Sequence, residues 1–324
     1  MTAPSTDREH TLAFRQRATY LNTQLPIERL TEAAFAGLQD SSPRSAVLAL
    51  HARVENVSSS AWKDPRFVQV WGPRGAVYVV PKDEVAIFTI GFLPRDQVLR
   101  AKIDTAADKA KKSFRLQKDG STQEYFHGLR EASASGTIRI EWDGSRTKWW
   151  IVDPPAIDPE LARLELARRF LRSVGPANPE EYAWWSGNTP RDSRHTFQFL
   201  ENELAEVILK GRRSWILRRD LRALKDAVPT NTVRLLPPGD PYLATPDRKM
   251  LVPIPRYRNE LWPKSVWPGA LLVNGEIVGT WRRQVGRVVV RAWQKPSTKT
   301  KAQVEEEVMN MPIVSKNKDV HWDT

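Results

Sequence analysis

Gly37-Leu38-Gln39-Asp40-Ser41-Ser42-Pro43-Arg44-Ser45-Ala46 joins two stretches of helical periodicity. Upstream, Pro26 opens a helix through Ile27, Leu30, Ala33, Ala34 and Leu38. Downstream, Ser42 is read as the cap of a helix that runs to about Asn56, with Pro43 at its first position, where no backbone donor is needed. Ala46, Val47, Leu50, Val54 and Val57 recur along it with the helical period. The polar cluster Gln39, Asp40 and Ser41 is therefore expected in a turn between helices. Arg44, His51 and Glu55 fall on the opposite side of the second helix, with Leu48 among them. An apolar residue centred on a charged face is either a wedge against nucleic-acid bases or a contact with a neighbouring domain.

Two β-rich runs follow, Phe67–Trp71 and Ala76–Val80, around Gly72-Pro73-Arg74-Gly75, which is a hairpin signature with Arg74 at the tip. Helix, polar turn, helix and basic hairpin is the order of a winged helix. The order returns twice. Pro81–Thr89 reads as a short helix, and Pro94–Leu116 and Ser121–Ala132 read as helices. Thr137–Trp142 and Arg146–Val152 then pair about Asp143-Gly144, carrying Arg139, Arg146 and Lys148. After Asp153-Pro154-Pro155, helices are expected over Asp158–Val174, Pro179–Ser186 (capped by Asn178) and Pro190–Leu200. Glu206–Leu209 and Ser214–Arg218 then flank Lys210-Gly211-Arg212-Arg213. Residues 211–226 hold six basic side chains, including Arg212, Arg213 and Arg218, against two acidic ones. Beyond Val228-Pro229 the texture is proline-rich and β-like, with Asn274-Gly275 as the strongest hairpin signal. A short helix, Ala302–Met309, and a loose polar tail close the sequence. The expected fold is α+β: tandem winged-helix (helix-turn-helix) units over residues 1–92, 93–155 and 156–228, a C-terminal antiparallel β-rich domain over 229–300, and a helix and tail over 301–324.

The 324 residues carry a net charge of +12, which favours a polyanionic partner through phosphate neutralisation. Because the charge recurs on hairpins and helix faces, double-stranded DNA is the expected partner, bound by a monomer. The sequence has no cysteine, so disulfides, iron–sulfur clusters, thiolate zinc sites and a cysteine nucleophile are excluded. Its five histidines show no metal-ligand spacing, and no metal or cofactor is expected. The polar start MTAPSTDREH has no apolar signal core, and no apolar run approaches the ~18 residues of a membrane span. A cytoplasmic protein is expected. No P-loop, GxGxxG or GxSxG motif is present. What remains for chemistry is Gln39, Asp40 and Ser41. A carboxylate or amide beside DNA can position a water against a sugar C1′ and stabilise the oxocarbenium-like charge that forms there. The same three residues can equally cap a helix and fill a turn.

At these residues the chain resembles the winged-helix DNA glycosylases of the AlkZ/YcaQ type. The likeness runs over roughly residues 10–295. It is carried by Gly37-Leu38-Gln39 through Ala49-Leu50-His51-Ala52-Arg53, Pro73-Arg74-Gly75, Ala167-Arg168-Arg169-Phe170-Leu171, Tyr182-Ala183-Trp184-Trp185-Ser186-Gly187, Asp240-Pro241-Tyr242, Asp247-Arg248 and Gly279-Thr280-Trp281-Arg282. The resemblance implies tandem winged helices with a β-rich domain around DNA, and excision of N-alkylated or crosslinked purines without a second lyase activity. The family's catalytic motif is Gln, any residue, then Gln or Asp. Gln39 stands at its first position and Ser41 at its last, with Asp40 between them, and Tyr78 stands where a histidine is common in the following hairpin. Either Asp40 replaces the missing group or the chain is a non-catalytic DNA binder, a regulator or damage sensor. The candidate catalytic residues are Gln39, Asp40 and Ser41. The candidate DNA contacts are Arg44, Leu48, His51, Arg74, Tyr78, Arg146, Lys148, Arg212, Arg213 and Arg218.

Overall fold

Local capping chemistry starts the main helices. Asp7, Asp158 and Thr189 each accept backbone N–H groups at the head of Arg8–Ala18, Pro159–Val174 and Pro190–Phe199. Asn178 and Glu181 form a reciprocal capping box on Pro179–Ser186. A computed structural model describes residues 3–116, 128–284, 287–312 and 318–323. The expected helix over Pro94–Leu116 is present as Gln97–Leu116. The Ser121–Ala132 reading lies partly outside the described residues, and Leu129–Ala132 is one helical turn.

The segment around Gln39 differs from the expectation. Ile27–Ala34 is a 3-10 helix interrupted at Arg29, and Leu38–Gln39 is a short strand. Gly37 makes the change of direction at φ +74°, where an added Cβ would meet Phe88 at 2.9 Å and Tyr78 at 3.0 Å. The next helix starts at Ser45, not at Pro43, and ends at His51. Pro81–Thr89 forms no continuous helix: Pro81 ends a strand, and Lys82–Glu84 is a single 3-10 turn.

The strands form three sheets. In the first, Leu38–Gln39, Val77–Pro81, Phe67–Trp71, Ile138–Trp142 and Thr147–Ile151 lie side by side in that order, so the first two hairpins share one sheet. In the second, Ser5–Thr6 pairs in parallel with Leu204–Leu209, which pairs with Arg212–Leu217. This third hairpin is longer than its sequence signal. Lys210-Gly211 alone makes the turn, at φ +49° and +76°, so Arg212 and Arg213 are strand residues. In the last, Val233–Leu236, Gly269–Val273, Glu276–Gln284 and Arg287–Ala292 are antiparallel, and Val273 faces Glu276 across the Asn274-Gly275 turn. Asp319–Asp323 adds a parallel strand on Arg287–Ala292, so this part of the tail is paired, not loose.

Packing ties the sheets together. Phe170, Tyr182, Trp185 and Phe197 share a core with Val70, Tyr78 and Phe88 of the first hairpin region. Leu48 is 1% exposed and packs with Leu235, Leu271, Trp281, Val304 and Val308 of the C-terminal sheet and helix. The wedge reading of Leu48 is thereby corrected, because its side chain fills an interior between two parts of the chain. His51 is likewise buried, 3.8 Å from Glu307, and cannot reach DNA. Burial first, and then Arg234, lowers its pKa to about 4. Leu48→Ala should cost about 2–5 kcal/mol of stability through lost burial and the cavity left behind. Urea unfolding measures this, and duplex affinity at fixed salt should stay unchanged. A drop in duplex affinity at unaltered stability would restore the wedge.

Candidate active site and nucleic-acid surface

Leu38 and Gln39 pair with Val79 and Tyr78, and the Asp40 N–H donates to the Val77 carbonyl at 2.8 Å. Extended backbone alternates its side chains, so neighbours in sequence face opposite ways. Leu38 and Asp40 are fully buried, Gln39 is half-buried and Ser41 is exposed. Asp40 Oδ1 accepts the Ala46 N–H at 3.0 Å and so caps the helix for which Ser42 was the expected cap. Asp40 Oδ2 accepts Arg44 Nη1 at 3.1 Å and Gln69 Nε2 at 3.3 Å. Gln69 Oε1 in turn accepts the Trp142 N–H at 2.7 Å, linking the knot to the second hairpin. Burial pushes the Asp40 carboxyl up to about 6, against the Ala46 N–H and the Arg44 charge, which both favour ionisation. A carboxylate enclosed in this way touches no deoxyribose. Asp40 is therefore corrected from a catalytic candidate to a positioning residue.

Gln39 and Ser41 remain at the surface. Gln39 Nε2 donates to Ser41 Oγ at 3.2 Å. The loop before Asp240 supports the amide from the other side. Gly239 has φ +76°, and a Cβ there would lie 3.0 Å from Gln39 Cδ and 3.1 Å from Oε1. That loop is fixed by a buried ion pair: Arg53 Nη1 and Nη2 donate to the Asp240 carboxylate at 2.8 and 2.7 Å. The pair Gln39–Ser41 thus offers an amide and a hydroxyl, both neutral, able to hold one water and to turn a carbonyl dipole toward developing positive charge.

Tyr78, across from Gln39, is buried, and its pKa is raised by that burial. Its ring fills the space left by Gly72, where a Cβ would come within 2.8 Å, and the Arg74 charge nearby partly offsets the effect of burial on its hydroxyl. It is corrected from a DNA contact to a core residue that packs under the hairpin. Arg44 is also turned inward. It binds Asp40 and the Trp142 carbonyl, and its guanidinium lies 3.6 Å over the Trp62 ring. Arg74, Arg146 and Lys148 are exposed on the first two hairpins, and none has an acid within ion-pair distance among the described residues. Arg212 and Arg213 are exposed but paired, with Asp247 at 2.9 Å and Glu206 at 2.6 Å. Arg218 donates to the Leu204 carbonyl at 2.8 Å. Gln69, Gly239 and the Arg53–Asp240 pair escaped sequence reasoning. Arg53 and Asp240 both lie in stretches that carried the family likeness, which was the available signal. Among the described residues no group of three acidic or histidine side chains could hold a metal, and no helix is long and apolar enough to cross a membrane.

Two predictions follow from this geometry. Asp40 ionises at an ordinary 3.8 when unfolded and near 6 when folded, so the folded state binds the extra proton between those values. Stability from the protonated form is complete below about pH 4 and is lost as pH rises through about 6. Asp40→Asn removes this slope, so the variant should gain on the wild type by about 2 kcal/mol between pH 4 and 6.5. Denaturant unfolding across that range reads it, and parallel curves would refute it. Gly239→Ala should displace the Gln39 amide and lower any base-release rate at least tenfold, with duplex affinity retained.

Comparisons with known proteins agree with this architecture. The family described as "DNA glycosylase AlkZ-like" matches residues 139–311, more than half of the chain. An "Interstrand DNA cross-link repair glycosylase" of Streptomyces sahachiroi is 29% identical over 130 residues, covering 38% of this chain and 35% of that protein. The alignment therefore spans about a third of the relative's length. The solved structure of the Streptomyces sahachiroi DNA glycosylase AlkZ superposes with a TM-score of 0.78 at 18% identity, covering 98% of this chain and 99% of that one. The mixed helices and largely antiparallel sheets are therefore those of that fold. By the extent of the family match, this chain belongs to the AlkZ-like DNA glycosylases.

Proposed function

We propose that the protein is a monofunctional DNA glycosylase that hydrolyses the N-glycosidic bond of an alkylated or crosslinked purine in duplex DNA. Its helix–helix–hairpin units serve as winged helices on the duplex. The observation that carries this reading is the exposed Gln39–Ser41 pair, held between the first hairpin and the Gly239 loop. An N-alkylated purine already bears positive charge. As the C1′–N bond breaks, its electron pair neutralises the leaving base, and no acid is needed. A water held by Gln39 Oε1 and Ser41 Oγ adds to C1′ and releases its proton to solvent. The Gln39 amide dipole stabilises the oxocarbenium-like charge. Asp40 acts through the backbone, by fixing the turn. Arg74, Arg146 and Lys148 meet phosphates.

A second reading, a non-catalytic DNA binder, draws on the same site. Ser41 is short for a water-holding role, and the nearby carboxylates of Asp40 and Asp240 are both enclosed. A single assay separates them. Duplex carrying N7-alkylguanine is incubated with wild type, Gln39→Ala and Ser41→Ala, and free base is measured. The glycosylase reading expects release by wild type, lowered about a hundredfold in Gln39→Ala and about tenfold in Ser41→Ala. Background release by all three, with duplex binding intact, leaves the non-catalytic binder.

A further inference from the structure

Two guanidinium groups share one exposed indole beside the candidate site. Arg74 lies 4.7 Å from the ring centroid of Trp184, and Arg248 lies 6.0 Å from the same ring. Arg248 is also 5.0 Å from Trp262 and 5.1 Å from Trp267. Cations stack favourably on aromatic faces, but two of them held together repel each other. Burial first, and then the Arg74 charge, lowers the Arg248 pKa from its ordinary value. Arg44, Arg95, Arg169 and Arg213, which also lie over rings, are each matched by an acid. Here, among the described residues, neither Arg74 nor Arg248 has a carboxylate within ion-pair distance, and the adjacent Asp247 is engaged by Arg212 at 2.9 Å. A cleft of about 500 Å³ opens beside Arg248, lined by Arg212, Lys249 and Arg258 and by the acids Glu181 and Asp247. Gly187, which ends the helix carrying Trp184, lies against the Arg74 stem, where an added Cβ would stand 3.7 Å from Cγ. Arg74 stands in the turn that leads into Val77–Pro81, the strand on which Tyr78 pairs with Gln39.

We propose that Arg74, Trp184 and Arg248 form a clamp for one backbone phosphodiester of a DNA strand, at the hairpin whose second strand pairs with Gln39. A planar guanidinium fork matches two phosphate oxygens, and the anion would cancel the repulsion that the pair carries when empty. Trp184 holds both forks at a fixed spacing. The clamp anchors the strand while the sugar sits at Gln39. It rests on the proposed partnership with duplex DNA.

The test measures affinity for an undamaged duplex across a salt series, with wild type, Arg248→Gln, Arg248→Lys and Arg222→Gln. Arg222 is 93% exposed and paired with Asp226, remote from this cluster in the fold's chain order and bonding. Each phosphate contact adds about 0.9 to the slope of log affinity against log salt. Arg248→Gln should lower that slope by about one and weaken binding about tenfold at moderate salt. Arg248→Lys should recover most of the slope, and Arg222→Gln should match wild type. A second arm walks a single uncharged methylphosphonate along the strand. One position should weaken wild type several-fold and leave Arg248→Gln unaffected. Calorimetry with inorganic phosphate distinguishes a free-anion pocket. Tight phosphate uptake, with duplex binding equal in wild type and Arg248→Gln, overturns the clamp. So does an Arg248→Gln variant whose slope and methylphosphonate profile equal those of wild type. If wild type itself fails to bind duplex, the proposed function falls as well, which is a separate and visible result.

Discussion

The contact between Arg53 and Asp240 holds the two ends of the candidate site in register. The residues are far apart in sequence, both are almost fully buried, and their two hydrogen bonds form a fork on a carboxylate. Arg53 also donates to the Ala49 carbonyl, and Asp240 accepts the Tyr242 N–H, so every strong group finds a partner. A buried ion pair of this kind contributes modest net stability but is costly to break, because the surviving charge is left uncompensated. Its value is positional. It fixes Gly239 against the Gln39 amide and so joins the first sheet to the last one. Arg283 adds a lighter tie, donating to the Pro43 carbonyl at 2.6 Å beside the same turn.

The enclosed Asp40 shows how one residue's direction decides a role. Its carboxylate, with Arg44, Gln69 and Trp142, links the turn to the helix that follows and to the second hairpin. Both of its oxygens are engaged inside. The surface left for a nucleic acid is neutral at Gln39 and Ser41 and cationic on the flanking hairpins. That division suits a substrate whose reacting part is already positive and whose frame is negative.

Helices headed by Asp158 and Asn178 were legible because their signals are local: an acceptor side chain, a proline at the next position, then an apolar period. The Asn274-Gly275 hairpin was legible for the same reason. Ser42-Pro43 carries the same local signature, yet Asp40 takes the helix cap. The deciding fact is the strand pairing of Leu38 and Gln39 with a hairpin some forty residues later, which turns Asp40 inward. Leu48 and His51 lie on a face that looks solvated in the sequence, and a distant sheet and helix cover it. Counting charge also had a limit. Arg212 and Arg213 looked free by composition, but Asp247 and Glu206 meet them in space. Glycine at 239 had no readable purpose until the Gln39 amide was seen against it.

The opening residues of the chain find their partners late. Ser5 and Thr6 form a strand on Ile208 and Leu209, and Arg8 bonds Glu276 across the C-terminal hairpin. During synthesis Ser5 and Thr6 wait roughly 10–40 s for their strand partner, and Arg8 waits roughly 15–55 s for Glu276, at about 5–20 residues per second. Until then the Ser5–Thr6 edge has no strand beside it, and Ala13 and Phe14 of the first helix lack the Val207 and Ile216 side chains they pack on. Closure entropy over so long a separation also makes their docking a late step. The Ser5–Ala18 segment is thus covered late, and Arg8 is tied down only when the last sheet has formed.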